Sequence, residues 1–185
     1  MPTLVHSFDW PDRIVVGTVG VPGSRTFYLQ VRAGARLLST ALEKEQSAVL
    51  AEKIDEILDE LMVNDGNPHS VPTDTPIELV DNEPLDQPVD EQFRTGALGL
   101  GWDPTTAQVV IEAYPLVLVD EEDEDALDET VTEPEEMLVV RMPVGTARAF
   151  AKRTREVVGA GRPLCPLCGT PIDPDGHVCP VADEF

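Results

Sequence analysis

Three cysteines and a histidine crowd into residues 165–179, and their spacing constrains this chain more than any other feature. Cys165-Pro-Leu-Cys168 is a C-x2-C pair followed directly by Gly169. That spacing lets two thiolates point at one ion while backbone N–H groups turn toward the sulfurs, and glycine supplies the positive φ that such a knuckle needs. Asp173-Pro-Asp-Gly176 is a turn that reverses the chain and presents His177-Val-Cys179. Three thiolates and one imidazole fill a tetrahedron, the closed arrangement of structural zinc. The expectation is a zinc ion held by Cys165, Cys168, His177 and Cys179, with the ion supplying most of the tail's folding free energy, on the order of 10 kcal/mol in small zinc peptides. Two other arrangements compete. Asp173, Asp175 or a water could replace His177, or the first pair could be a redox dithiol. A redox C-x-x-C normally opens a helix, whereas here prolines and glycines crowd it. An odd number of cysteines is poor material for a disulfide framework.

Upstream of the tail, apolar periodicity divides the chain into strands and helices. Asp12–Gly20 is β-branched and bounded by Pro11 and Pro22, a strand. Val21–Ser24 is turn chemistry. Thr26–Val31 alternates strictly, with Phe27, Leu29 and Val31 on one face. Arg32–Ala35 turns the chain into a third strand, Arg36–Leu42. A helix follows over Glu43–Met62, with Leu50, Ile54, Ile57, Leu58 and Leu61 in one stripe, and Asn64–Pro68 ends it. Residues 68–92 form a long proline-rich, acidic loop, functional or floppy. Strands are expected at Phe93–Trp102, Gln108–Val119 and Glu136–Met142, then a helix from Pro143 to Val158 stopped by Gly159 and Gly161.

The fold class is therefore α+β, two layers of about six mostly antiparallel strands and two helices. Residues 1–161 form the domain, with long loops 68–92 and 120–135, and residues 162–185 form the zinc-binding tail. Placing Leu37–Glu43 over Leu138–Pro143 puts strand-into-helix in register in both halves, which suggests a duplicated β-β-β-α unit. The helices would cover one sheet face. The other face is left to the long loops, the tail or a second copy of the chain.

The formal charge of -22 argues against binding nucleic acid or an anionic membrane and favours basic partners. Asp120–Glu136 holds eleven acidic residues and no basic one, whereas Arg141–Arg162 holds six basic residues against Glu156. The acidic run could fold back on the basic helix, though its simplest reading is a solvated loop. No apolar run approaches the roughly 20 residues that span a bilayer, and Met1–Trp10 lacks the pattern of a secretory signal, so a cytoplasmic location is expected.

Other candidates are weaker. His6 reads as structural and His69 as solvated. Gly96-Ala-Leu-Gly-Leu-Gly101 lacks the lysine and serine of a phosphate loop and precedes no helix, so its glycines read as strand positions of close backbone approach. The run 120–129 lacks the spaced ligands of a calcium loop. No catalytic residues are assigned.

Several segments together resemble one actinobacterial family, the domain of unknown function family 3090, also described as a repeat-protein family. They are Pro11–Gly20, Arg25–Gln30, Ala41–Gln46, Leu98–Asp103, Arg162–Gly169 and His177–Pro180. The resemblance spans nearly the whole chain, and the tail is its most specific part. It implies no activity. It does imply genes lying near those of a phosphomutase of the histidine-phosphatase type and a kinase-like protein. One departure is Cys179-Pro-Val-Ala-Asp183, where a basic residue would be expected soon after Cys-Pro. The leading reading is a non-enzymatic, cytoplasmic zinc-binding protein that works through a protein partner. The alternative is an enzyme, or an accessory subunit of one, in a phosphate-metabolising pathway, using the 68–92 loop with Arg25, Arg94 and Asp103.

Overall fold

The computed structural model describes residues 3–21, 24–64, 66–117, 134–160, 166–168 and 179. The described residues form an α+β fold of one mixed sheet and two helices. The strands are β1 (Leu4–Asp9), β2 (Arg13–Val19), β3 (Thr26–Ala33), β4 (Arg36–Leu42), β5 (Glu91–Asp103), β6 (Gln108–Pro115) and β7 (Glu136–Pro143). The helices are α1 (Lys44–Val63), after β4, and α2 (Val144–Gly159), after β7. Sheet order is β1-β7-β6-β5-β4-β3-β2. After β1, the elements run β-β-β-α twice. Each triplet is an antiparallel meander, and β4 pairs with β5 in parallel where the two meet.

Two corrections to the sequence reading follow. The sheet has seven strands rather than six, because Leu4–Asp9 pairs in parallel with β7. The fifth expected strand also stops at Pro115 instead of Val119. The zinc knuckle and the acidic loop 120–135 lie largely outside the described residues.

Alternation gives the sheet its inner face. Ile14 and Val16, Phe27, Leu29 and Val31, and Leu38 and Leu42 come from the first meander. Val109, Ile111, Leu138, Val140 and Met142 come from the second, and Phe8 from β1. Leu50, Ala51, Ile54 and Leu58 of α1 and Ala147, Phe150 and Ala151 of α2 close over them as one core. Each fully buried large side chain contributes roughly 1.5–3 kcal/mol. At the start of α1, the Glu43 backbone N–H donates to Gln46 Oε1 at 2.8 Å, the reciprocal half of a capping box. Pro143 is the cap of α2 rather than its first residue, and its missing N–H costs nothing there. Only Trp10, Pro11 and Asp12 separate the two edge strands β1 and β2, so the sheet curls strongly around the helices.

The long segment after α1 is a strap. Asn67 Nδ2 and Oδ1 clasp the Val71 carbonyl and N–H at 3.0 and 2.8 Å, which seats Val71 in the core. Pro72 accepts from Arg148 Nε on α2 at 3.0 Å. A short 3-10 turn, Ile77–Leu79, follows along α2. The strap then crosses the β2 edge at Asp81 and lies on the outer face of β2, β3 and β4. There Leu85 rests on Gly17, where a Cβ would come within 2.5 Å of its side chain. Asp86 and Gln30 exchange hydrogen bonds, Asp86 N–H to Gln30 Oε1 at 2.7 Å and Gln30 Nε2 to the Asp86 carbonyl at 3.0 Å. The long loop, one of the three covers considered above, thus takes this half of the second face.

Candidate functional site

The expected zinc ligands follow α2 directly, five residues separating Gly159 from Cys165. Cys168 and Cys179 are both partly buried. Cys165 and His177 lie outside the described residues. The donor set fits zinc by its chemistry: three soft thiolates and an imidazole, equal in number to the four positions of a tetrahedral site.

The densest charged cluster among the described residues sits where the strap crosses the sheet edge. Arg13 projects from the start of β2 and grips Asp81 through Nε and Nη2, at 2.7 and 3.0 Å. Its remaining donors reach the Glu83 carbonyl at 2.9 Å and Asp86 Oδ2 at 3.2 Å. Arg32, across from Arg13 on β3, bonds Asp86 at 2.9 Å. Arg153 comes from α2. Its Nε caps the Val16 carbonyl on the outer side of edge strand β2 at 3.1 Å, and its Nη1 bonds the Asp81 carbonyl and carboxylate at 2.7 and 3.1 Å. The side chains of Arg13 and Arg153 are only 9% and 11% exposed.

The bond to Arg13 holds the Asp81 carboxyl below its ordinary value, and in turn raises Arg13. Burial lowers Arg153, with Asp81 working against that fall. A carboxylate held so firmly ionised is a poor proton acceptor near neutrality. A cavity of about 760 Å³ lies beside the cluster, but Asp12, Glu78 and Glu83 line it along with Asp81 and Asp86. The arrangement is a clasp that fixes strap, sheet edge and α2 to one another. Sequence reasoning missed it because its members come from β2, β3, the strap and α2, with no local pattern linking them.

The residues named for an enzymatic reading do not converge. Arg25 reaches the Val158 carbonyl at 3.4 Å and stacks over Phe27. Arg94 pairs with Glu43, and Asp103 with Arg141 at 2.8 Å. Arg94 and Asp103 stand at opposite ends of β5, roughly 30 Å apart at strand rise. His6 contacts Glu136 at 3.2 Å, in keeping with a structural role. His69, expected in solvent, instead packs edge-on against Trp102 with ring centroids 4.9 Å apart. The Gly96–Gly101 run lies within β5, as strand positions. A Cβ at Gly96 would meet the Leu116 backbone at 2.7 Å. No described helix is long and apolar enough to cross a membrane.

Among protein families, the model described as "Protein of unknown function (DUF3090)" matches residues 6–179. No curated protein and no solved structure matches the chain.

Proposed function

The chain belongs to the DUF3090 family of proteins of unknown function, and from that premise we propose that it is a zinc-binding protein of the cytoplasm that acts through contacts with other proteins. The donor set Cys165, Cys168, His177 and Cys179 carries this reading, because four protein ligands leave a tetrahedral ion no open position for substrate. The ion would staple a segment too short and too rich in proline and glycine to bury a core of its own. The end of α2, where Val157 and Val158 pack against the core, would present that stapled segment as a docking element. The twofold β-β-β-α order supports reading the domain as a duplicated unit built to carry it.

Native mass spectrometry tests the metal: one zinc per chain is expected after gentle purification. His177→Ala should weaken zinc at least tenfold in a chelator competition, and a variant that holds zinc as tightly as the parent would exclude His177 as a ligand. Affinity capture from the native host, with and without chelator, tests the partner, whose recovery should fall when zinc is stripped.

A further inference from the structure

The register of β5 changes partner partway along. β4 pairs with it only at Glu91, Phe93 and Arg94, and then turns away into α1. β6 pairs with it from Thr95 to Asp103. Between Ala97 and Asp103, β5 therefore has a strand on one side and, among the described residues, none on the other. Gln46 marks the place where β4 departs, its Nε2 donating to the Thr95 carbonyl at 3.2 Å. The open stretch Ala97-Leu-Gly-Leu-Gly-Trp102 carries no charge and no proline, the devices by which edge strands usually discourage new partners.

Space flanks this edge on both sheet faces. On the inner side a cavity of about 390 Å³ runs between β5 and α1, lined by Val49, Leu50 and Lys53 against Leu98 and Leu100. Val49 is 52% exposed despite this apolar setting. On the outer side a cavity of about 440 Å³ lies over Gly99 and Gly101, with Glu112 beside them. An added strand alternates its side chains between the two faces. One set would enter the apolar groove and the other would lie over the glycine shelf.

We propose that the β5 edge from Ala97 to Asp103 binds an extended segment of another protein by strand addition, with apolar side chains alternating with basic ones. Charge selects the partner: on the shelf side Glu112 stands beside Gly99, while Arg141 there is already paired with Asp103 at 2.8 Å. A second copy of the chain would bring its own charge of -22 to the same edge. Main-chain hydrogen bonds would give affinity, and the groove and shelf would give register. The proposal rests on β5, β6 and α1 and not on the zinc reading.

The test uses the full chain and an eight-residue capped peptide alternating valine and lysine. Fluorescence anisotropy should show saturable one-to-one binding, and amide hydrogen exchange over 97–103 should slow at least tenfold. Methylating alternate peptide nitrogens keeps charge and composition but removes the ladder, and should weaken binding at least tenfold. Val49→Arg should do the same. Glu112→Gln, beside the glycine shelf, should weaken binding several-fold. Equal binding of the methylated peptide, or protection confined to other segments, would overturn the proposal. So would a dimer in sedimentation that Val49→Arg dissociates, because the edge would then belong to a second copy.

Discussion

At the scale of single residues, Asp81 decides most. Its carboxylate receives two nearly buried guanidinium groups that arrive from β2 and α2. Removing the charge leaves both arginines facing a neutral group away from bulk water. Asp81→Asn should cost about 2 kcal/mol, read as a lower urea midpoint with an unchanged slope. The pH dependence has a definite sign. Asp81 titrates lower in the folded chain than its ordinary value of 3.8, because Arg13 bonds its charged form. Its contribution is complete above that ordinary value and is lost as pH falls through the depressed folded one. The parent should therefore lose more stability than Asp81→Asn between about pH 5 and pH 2, measured by thermal unfolding across that range.

At the scale of elements, β1 shows how partnership makes a strand. Leu4–Asp9 has no β-branched run, and its pattern of Leu4, His6 and Phe8 on one face is weak by itself. It forms because β7 offers an edge, and because Phe8 enters the core beneath the Arg36 guanidinium, 4.2 Å from its ring centre. Phe8→Ala should therefore cost about 3 kcal/mol, whereas Val5→Ala, half exposed on the opposite face, should change stability by less than about 0.5 kcal/mol. Equal effects in chemical denaturation would mean that β1 is not seated as described. The strap is the same lesson without regular structure. Its proline-rich sequence reads as a loop, functional or floppy, and Asn67, Asp81, Leu85 and Asp86 pin it at successive points.

At the scale of the whole molecule, a charge of -22 acts on a compact body. Self-repulsion opposes the folded state and is screened by salt. The melting temperature should rise by several degrees between about 10 mM and 500 mM sodium chloride, and a fall would show that the clasp ion pairs outweigh the repulsion. Both helices and six of the seven strands were legible in the chain, because each follows from local periodicity and local stops. Phe27, Leu29 and Val31 alternate, Leu50, Ile54 and Leu58 recur at helical spacing, and Asn64 to Pro68 ends α1. The candidate zinc ligands were named from residue type and spacing within fifteen residues, and they stand as a proposal. Only the tertiary structure decided the rest. The parallel pairing of β4 with β5, the seating of β1, the path of the strap and the Arg13–Asp81–Arg153 clasp all join residues far apart in the chain. The same is true of the β5 edge that has no neighbouring strand among the described residues, because β4 turns into α1 while β5 runs on. Such features depend on which surfaces meet after collapse, and no local window of the chain carries that information.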